Sequence, residues 1–543
     1  MCMKYIYPTR IVAQGENTNH SYVLMNESIL QIGLSEAKIF SMIGKTYIIL
    51  DFGKELSGGI RLLTYHADGN KKIRLRFGES VSETCAELGE KNAGNDHSNR
   101  DFVVELQSFS DMNFGNTGFR FLRIDTLSES VSIKFKSIVA YLDMDEREEV
   151  GFFECNDPLV NRIWTTAAYT LRLCLHNGFL WDGIKRDRLV WIGDLYPEMK
   201  SAHCLYQKVP EVENSLRYIR EQTPLPEWMN GIPMYSFWWL IILCDHYFRN
   251  GDKNFVYENI DYIKALVKQI YAFVREDGHT EFCYNFVDWP SHYNEGDGEI
   301  KKHEELAGVN YLLRIALEKT AQLLREFGED NRICNDVLRK LKRASFLLQS
   351  SKSMAALGII SGEKSVNLEN ILIDGQVKGL STFMSYQILT AMGQLKAYDQ
   401  ALSSLNLYYG EMLRLGATTF WENFDFEDAK NSTGIDCLPE GNSFDIHGDG
   451  GEHCYRGFRH SLCHGWSSGV IAYLSETVLG IRVLASRKKV SVDPHLNGLN
   501  WVRGACPTPY GPIYVEHQYN DSGKVVTQIT APHNKKDYIL EKV

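Results

Sequence analysis

The chain has 543 residues, of which 44% are hydrophobic and 23% charged, and its formal net charge is −11. This hydrophobic content is enough for large cores and excludes a disordered chain, while the length allows about three or four domains. The acidic balance excludes a general nucleic-acid binder and disfavours binding to anionic membrane surfaces.

The N-terminal residues and the cysteines indicate the cellular compartment. The first ten residues contain no apolar run long enough for a secretory signal, and no stretch reaches the roughly 18 apolar residues of a membrane span. The twelve cysteines are scattered without a C-x-x-C pair, a pattern typical of reduced thiols. We therefore expect a cytoplasmic protein without membrane or nucleic-acid partners, although a mature chain whose signal had been removed would look similar.

Residues 1–148 are predicted to form an N-terminal β-sandwich domain. Runs of β-forming residues at 46–51, 73–77 and 119–124 are separated by turns that contain glycine. Many short strands at close spacing are typical of a sandwich.

Residues 149–484 are predicted to form a helical domain. Apolar residues recur at helical spacing from Leu159 to Cys174, directly after Asp157-Pro158. Further helices are predicted near 195–207, 234–248, 257–275, 304–327, 331–349, 381–394, 397–413 and 465–480. About a dozen helices joined by long loops fit an α/α toroid better than a compact bundle.

Residues 485–543 return to a β pattern, with predicted strands at 490–494, 513–517 and 525–530. A segment of about 60 residues is too short to be robust on its own. We expect it to pack on the helical domain as a small C-terminal β-sandwich, which makes the whole chain a multidomain α+β protein.

The richest polar segment is the loop 179–194 between two predicted helices. It contains three carboxylates, three cations and two tryptophans: Asp182, Asp187, Asp194, Lys185, Arg186, Arg188, Trp181 and Trp191. Carboxylates bind sugar hydroxyls, indole faces cover the apolar side of a pyranose, and an arginine holds a carboxylate in place. The loop therefore indicates a sugar site, and the alternative is a salt-bridged connector with a solvated face.

Three further loops contain candidate site residues. Glu422 lies in a Gly/Thr-rich loop and is either a general base or the first residue of a helix capped by threonine. Asp288 and Trp289 lie in another loop, for which the alternative is a turn with a packed tryptophan. His464 and Trp466 open a predicted helix, where each could also cap or pack.

Residues 445–450 resemble the opening of a calcium-binding loop, but the twelfth position is Arg456 instead of the required glutamate. We therefore expect no metal ion, with a site around His447 as the weaker alternative. The chain has no G-x-S-x-G, no P-loop lysine motif and no G-x-G-x-x-G after a strand, so serine hydrolases, NTPases and Rossmann enzymes lack support.

Five motifs in order resemble those of the bacterial α-L-rhamnosidases of glycoside hydrolase family 78. The motifs lie at 51–59 (DFGKELSGG), 118–123 (GFRFLR), 182–194, 416–422 (GATTFWE) and 507–512 (PTPYGP), so the resemblance spans nearly the whole chain. It implies an (α/α)6-barrel catalytic domain flanked by β-sandwiches. It also implies hydrolysis of terminal α-L-rhamnosides with inversion of the anomeric centre, without a cofactor.

The central loop departs from the family pattern at one position. The family has Arg-Asp-Glu-Arg-Leu with the glutamate as general acid, whereas this chain has Arg186-Asp187-Arg188-Leu189 and is one residue shorter. The resemblance implies Glu422 as general base, and we expect Asp187 to replace the missing glutamate as the acid. A non-catalytic sugar-binding relative is the alternative that the missing glutamate leaves open.

The resemblance also implies the residues around the −1 sugar: Asp182, Arg186, Trp191, Asp194, Trp238, Asp288, Trp289, His464 and Trp466. The pattern does not distinguish Trp238 from the adjacent Trp239. An aromatic pocket suits the 6-methyl group of L-rhamnose. The runner-up is another inverting hydrolase on the same barrel, although a uronate would need more cations than Arg186 and Arg188. The expected partner is a small or oligosaccharide rhamnoside, and a homodimer is left open.

Overall fold

The computed structural model describes residues 4–35, 39–288, 298–451, 455–532 and 538–542. In chain order, the strands are β1 (Lys4–Ile6), β2 (Arg10–Gln14), β3 (Thr18–Asn19), β4 (Phe40–Ile43), β5 (Tyr47–Gly69), β6 (Lys72–Gly78), β7 (Asp101–Glu105), β8 (Ser110–Thr126), β9 (Val131–Leu142), β10 (Phe152–Cys155), β11 (Leu175–His176), β12 (Phe179–Leu180), β13 (Ser432–Thr433), β14 (Phe444–Asp445), β15 (Ile481–Leu484), β16 (Lys489–Val492), β17 (Trp501–Cys506), β18 (Ile513–Tyr519), β19 (Val525–Thr530) and β20 (Ile539–Lys542).

The α-helices are α1 (Val81–Cys85), α2 (Pro158–Cys174), α3 (Leu195–Leu205), α4 (Pro210–Gln222), α5 (Pro233–Asn250), α6 (Lys253–Tyr271), α7 (Gly298–Glu326), α8 (Arg332–Leu341), α9 (Lys352–Ile360), α10 (Val366–Ile373), α11 (Ser385–Gln394), α12 (Tyr398–Arg414) and α13 (Val470–Tyr473). None of the described helices is long and apolar enough to cross a membrane.

The chain divides into two compact units. The first contains residues 1–145, 183–188 and 412–464, and the second contains residues 146–182, 189–411 and 465–543. The polar loop therefore contributes six residues to the first unit and its remaining residues to the second.

An antiparallel sheet of nine strands forms most of the first unit. Its central strand β5 runs for 23 residues and pairs with β8 along one edge, and with β2 and then β9 along the other. Shifts of register after Asp51 and Gly58 mark bulges, which let one strand bend and continue. The short strands predicted at 46–51, 73–77 and 119–124 are thus parts of the longer β5, β6 and β8.

The second unit contains the helices from α2 onwards. Helix α2 begins at Pro158, and the side chain of the preceding Asp157 accepts a hydrogen bond from the Leu159 N–H. The predicted start of this helix is therefore confirmed. Helix α5 buries nearly all its side chains and lies in the centre of the unit's core. The toroidal arrangement of the helices stays a prediction.

Two details of the helix prediction were wrong. The helix predicted at 331–349 ends at Leu341, because beyond it the apolar residues no longer fall on one face and Leu347 is 69% exposed. Helices α4, α9 and α10 were not predicted at all. In α4 the apolar residues Val212, Leu216 and Ile219 have helical spacing, but they are few among charged neighbours.

Two small sheets complete the second unit. One has the order β10-β17-β18-β19, so a strand that precedes the helices pairs with the C-terminal strands, and the other has the order β15-β16-β20. The strands predicted at 490–494, 513–517 and 525–530 correspond to β16, β18 and β19. The chain is therefore a multidomain α+β protein with an N-terminal sheet, a helical middle and a small C-terminal sheet region.

Candidate active site

Residues 182–194 form a loop between β12 and α3, as predicted. In the first unit, Gly183 forms an antiparallel backbone bridge with His464, which fixes the loop next to the segment that follows α12. Lys185 and Arg186 are buried. Burial of these cations excludes the solvated connector, because a buried cation must be paired to be tolerated.

Arg186 connects the two predicted catalytic carboxylates. One terminal nitrogen donates to both oxygens of Glu422 at 2.7 and 2.6 Å, and the other lies 3.2 Å from Oδ2 of Asp187. The Nε–H donates to the Arg459 carbonyl at 2.8 Å, and the guanidinium lies 3.7 Å from the ring centre of Tyr455. These contacts fix the plane of the guanidinium and hold both carboxylates on it.

Glu422 is held by the backbone as well as by Arg186. Its N–H donates to the Ser461 carbonyl at 3.0 Å, and the Ser461 N–H donates to Oε2 at 2.9 Å. The hydroxyl of Thr419 donates to the Leu462 carbonyl at 2.7 Å, and Glu422 lies in a loop. The alternative of a threonine-capped helix start is therefore wrong.

The electrostatics of this region favour an ionised Glu422. Burial would raise its pKa, but the charge of Arg186 outweighs burial and lowers the pKa from 4.5 to about 2. Nε2 of His464 lies 3.9 Å from Oε1 of Glu422. Burial lowers the pKa of His464 to about 3 and that of His460 to about 4, so both rings are neutral at pH 7. Glu422 is thus a carboxylate at neutral pH, the state that a general base needs.

Asp187 lies in a tight turn that ordinary residues seldom adopt. Asp187 and Arg188 both have φ of 55°, and the Arg188 N–H donates to the Arg186 carbonyl at 2.7 Å across the turn. Positive φ is costly for residues other than glycine and tends to occur at functional sites. The Asp187 side chain is 7% exposed, and its Oδ1 lies 3.2 Å from Nε2 of the partly exposed His97.

Lys185, the residue before Arg186, also holds the loop in place through buried contacts. Its ammonium group lies 3.2 Å from Glu79 and 2.9 Å from Glu83, and it donates to the carbonyls of Phe458 and His460 at 2.5 and 3.0 Å. Both glutamates are essentially inaccessible. Lys185 therefore fastens residues 183–188 to the 458–460 segment through two buried hydrogen bonds and to Glu79 and Glu83 through two buried ion pairs.

Glu79 extends this support to the base. Its carboxylate accepts hydrogen bonds from the Ser461 hydroxyl at 3.2 Å and from the Leu462 N–H at 2.7 Å. Burial raises the pKa of Glu79 to about 7, although Lys185 acts against this rise. Since the Ser461 N–H binds Glu422, Lys185 and Glu79 fix the backbone that positions the base. The sequence singled out Lys185 only as one of the cations of the polar loop, without this role, and Glu79 was not predicted.

Glu79, Glu83 and His447 form a group whose ligand atoms lie within 4.8 Å of one another. A metal ion there would have to displace Lys185, whose ammonium group already bridges the two carboxylates. The Nδ1 atom of His447 lies 2.8 Å from the Ser80 hydroxyl, so this nitrogen is also occupied. The donor set therefore fits a lysine better than a cation from solution.

Three predicted residues of the polar loop belong to the second unit: Asp182, Trp191 and Asp194. Oδ1 of Asp182 accepts the Leu189 N–H at 2.8 Å and so closes the loop at its base. Asp194 accepts the Tyr235 hydroxyl at 3.0 Å, and the Trp191 ring meets Tyr235 edge-on at 6.1 Å. Tyr235 thus links two of the three predicted residues.

Asp288 is buried and is held by hydroxyl groups of the second unit. Its carboxylate accepts hydrogen bonds from Ser353 and Ser381, the second at 2.7 Å. These two contacts fix the orientation of the carboxylate group. The predicted Trp289 lies outside the described residues.

Two predicted tryptophans of the second unit, Trp238 and Trp466, are buried, whereas Trp191 is half-buried. Trp238 packs against Tyr196 with ring centres 4.8 Å apart, and Trp466 stacks on Phe383 at 4.7 Å. The neighbouring Trp239 donates its indole N–H to the Leu216 carbonyl at 3.1 Å. The two adjacent tryptophans are therefore distinguished by their partners.

Glu198 is a buried carboxyl group that sequence reasoning missed. Neither of its oxygens has a hydrogen-bond partner in the described part of the chain, and burial, with Asp194 and Asp182 nearby, raises its pKa well above 4.5. A Cβ atom at Gly465 would lie 1.8 Å from Oε1 of Glu198, so only glycine fits there. The signal was the spacing of four from Asp194, which places both carboxyl groups on one face of α3.

Three family models match successive parts of the chain. They are the bacterial α-L-rhamnosidase concanavalin-like domain at 41–141, its 6 hairpin glycosidase domain at 148–344 and its C-terminal domain at 483–539. Together they cover more than half of the chain in the order that the sequence motifs predicted. The chain belongs to the bacterial α-L-rhamnosidase family.

Solved structures from this family have the same fold. A rhamnosidase of family GH78 from Bacillus sp. GL1 matches with a TM-score of 0.72 at 19% identity, over 94% of this chain and 55% of that one. An α-L-rhamnosidase from Dictyoglumus thermophilum matches at 0.70 and 18%, over 98% and 58%. A rhamnosidase from Klebsiella oxytoca with rhamnose bound matches at 0.65 and 17%, over 87% and 95%. The chain thus spans little more than half the length of the first two, and no protein with a curated description matches it.

Proposed function

We propose that this chain is an inverting glycoside hydrolase that releases terminal α-L-rhamnose from small rhamnosides or oligosaccharides. One observation carries the proposal: the guanidinium of Arg186 binds Glu422 with one nitrogen and Asp187 with the other. Most glycosidases use two carboxyl groups whose positions relative to each other are fixed. Membership of the rhamnosidase family supports rhamnose as the sugar.

In the proposed reaction the two carboxyl groups have opposite tasks. Asp187 donates a proton to the leaving oxygen while Glu422 takes one from a water molecule on the other face of the sugar. An inverting pair stands about 6.5–9.5 Å apart so that this water fits. Both carboxyl groups contact Arg186, which fixes their position relative to each other.

Asp187 needs a supply of protons, since it loses one in every turnover. The ring of His97 lies 3.2 Å from Asp187 and is 39% exposed at its side chain. We propose that His97 carries the proton from solvent back to Asp187. The reaction then uses only side chains and water.

The other predicted residues have supporting roles in the proposal. Arg186 is proposed to position both carboxylates, and His464 to bind substrate near Glu422. Asp182, Trp191, Asp194, Trp238, Asp288, Trp289 and Trp466 stay predicted sugar-binding residues. The domain bounds 1–148, 149–484 and 485–543, the cytoplasmic location and a homodimer also stay predictions.

A non-catalytic sugar-binding protein is the second candidate. The observation that favours it is the pairing of Asp187 with Arg186 and His97, in a loop that lacks the family's acidic glutamate. A carboxyl group held by two basic side chains also suits a purely structural role.

A panel of aryl glycosides separates the two candidates. We expect release of the aryl group from the α-L-rhamnoside and much slower release from other sugars, because a specific site distinguishes substrates by how well it binds their transition states. The Glu422→Gln protein is the control for contaminating activity. Cleavage of a different sugar favours the runner-up hydrolase. Calorimetric binding of rhamnose without any cleavage establishes the binding protein instead.

The stereochemistry is tested by NMR of the first sugar released. We expect the β anomer of rhamnose to appear before mutarotation, because water attacks from the face opposite the leaving group. Early appearance of the α anomer would rule out the proposed roles of Glu422 and Asp187.

A further inference from the structure

A second cavity, of about 350 Å³, lies within the second unit among α3, α5, α11 and the C-terminal strands. None of the predicted site residues lines it. Its wall includes the thiols Cys204 and Cys506, and also the exposed side chains of Gln394 and Arg482, so the cavity reaches the surface. Cys204 and Cys506 are themselves only 2% and 1% exposed, so a reagent must be small, as hydrogen peroxide is, and must enter through this cavity to reach them.

Two cysteines in the wall of this cavity interact with each other. Cys204 lies in the last turn of α3 and Cys506 is the last residue of β17. The Cys506 thiol also contacts the Pro507 carbonyl at 3.7 Å. Both are free thiols, as are the other eight cysteines of the described residues. A pair of free thiols in contact is the arrangement from which a disulfide forms with little movement.

Arg249 of α5 makes the pair asymmetric. Its guanidinium donates to the sulfur of Cys506 at 3.2 Å, and the same nitrogen is held by the carbonyls of His203 and Pro507 at 2.9 and 2.7 Å. The backbone thus fixes this positive charge against one of the two sulfurs. The positive charge of Arg249 therefore lies against Cys506.

The charge has a chemical effect. The hydrogen bond from Cys204 and the nearby Arg249 lower the pKa of Cys506 to about 7, against the opposing influences of burial and of Glu476. By contrast, burial raises the pKa of Cys155 to about 11. Since the thiolate is the reactive form, Cys506 is activated at neutral pH and an ordinary buried cysteine is not.

We propose that Cys506 and Cys204 are a site of reversible oxidation by hydrogen peroxide. The Cys506 thiolate attacks one peroxide oxygen, the O–O bond breaks, and hydroxide leaves while the sulfur becomes a sulfenic acid. Cys204 then attacks this sulfur as a thiolate, the S–O bond breaks, and the hydroxide takes up the Cys204 proton as water. Overall, two thiols and one peroxide give one disulfide and two waters.

The disulfide would join the end of α3 to the end of β17, two elements of the second unit that already contact each other. A low-pKa thiol next to a resolving thiol is the arrangement of redox-sensitive proteins. The inference does not depend on the proposed hydrolase activity, because no residue of the pair belongs to that machinery.

The test is peptide mapping of the full-length protein after treatment with hydrogen peroxide at pH 7. We expect a Cys204–Cys506 linked peptide that disappears with a reductant. In Cys204→Ser, Cys506 should remain a sulfenic acid that dimedone traps, whereas Cys506→Ser should give neither product. A disulfide absent from the wild type, or dimedone adducts on other cysteines only, overturns the proposal.

The role of Arg249 is tested by the rate of alkylation with iodoacetamide against pH. In the wild type, Cys506 should react at least about tenfold faster at pH 7 than the equally buried Cys155, whose pKa burial raises to about 11. In Arg249→Gln this advantage should shrink at pH 7 and return at higher pH. If Cys506 of the wild type reacts no faster than Cys155, the proposal fails, and this measurement needs no variant to fold.

Discussion

The surroundings of Glu422 and of Asp187 differ in a way that the sequence only partly indicates. Glu422 is buried, and two nitrogen donors with fixed positions hold its oxygens: a guanidinium nitrogen and a backbone N–H. Asp187 instead lies in a turn of two residues with positive φ and faces a partly exposed histidine. One carboxylate is rigidly placed, and the other lies where the loop has been shortened.

The difference teaches where a site tolerates change. The base depends on a network that involves the backbone of 458–462, so a substitution there disturbs several buried contacts at once. The acid depends on a local turn, which can absorb the loss of one residue by adopting an unfavourable φ. It follows that the departure from the family pattern occurred at the more adaptable of the two positions.

The largest effect is expected from Glu422→Gln. The amide keeps the shape but cannot take a proton from water, so kcat should fall by about 10²–10⁴-fold. Rhamnose binding, measured by calorimetry, should change little. Near-normal turnover in a correctly folded variant would remove Glu422 from the role of base.

The second effect concerns the support of the base. In Lys185→Met, Glu79 and Glu83 lose the cation that bridges them, and leaving buried charges unpaired costs about 3–5 kcal/mol. Urea unfolding is the measurement. The matched control is Lys264→Met, which removes a lysine paired with Glu329 on the surface and should change the free energy of unfolding far less. Equal costs for the two variants would contradict the anchoring role of Lys185.

The third effect sharpens the role of Asp187. Asp187→Asn should lower kcat by about 10²-fold on a natural rhamnoside, whose leaving group needs a proton, and much less on an aryl rhamnoside with an acidic leaving group. The comparison variant is Glu198→Gln, which removes the missed buried carboxyl group. If Asp187→Asn affects both substrates equally and Glu198→Gln shows the selective loss, Glu198 is the acid.

The last prediction concerns the dependence of stability on pH near the base. His464 and His460 have folded pKa values of about 3 and 4, below the usual 6.5, so the unfolded chain binds more protons between these values. Their stabilising contribution is present above about pH 6.5 and is lost as the pH falls towards 3, by up to about 1.4 kcal/mol per pH unit and group.

Urea unfolding at pH 7 and pH 4 measures this loss. His464→Asn should reduce the difference in the free energy of unfolding between the two pH values. An unchanged difference in His464→Asn would mean that the ring is not held neutral by burial.

The fold was largely predictable because its signals are local. Asp157-Pro158 marks the start of α2, and the alternation around 513–517 marks β18, since caps and side-chain periodicity depend on near neighbours. The length of β5 was not predictable, because bulges depend on pairing with β8 and β9. The pairing of β10 with β17 also escaped, because it joins residues more than 340 positions apart.

For the candidate site, motifs identified the residues that change charge or touch sugars, but not those that support them. Arg186 and Glu422 stand in recognisable patterns, and they are in contact. Glu79 and Lys185 carry no such pattern, because a buried glutamate and an exposed one look alike in a sequence. Glu198 was missed for the same reason. The burial of these side chains and their contacts can be known only from the folded structure.

The single guanidinium shared by Glu422 and Asp187 has a consequence for the balance of charge during the proposed turnover. Before the reaction Asp187 carries the proton and Glu422 does not, and afterwards the positions are exchanged. The total charge on the two carboxyl groups is the same at both ends of the step, so Arg186 faces one negative charge throughout. Asp187 loses one proton and Glu422 gains one, so the net charge around Arg186 does not change. The negative charge thus passes from Glu422 to Asp187, and because both contact Arg186, the same guanidinium can pair with it before and after the step.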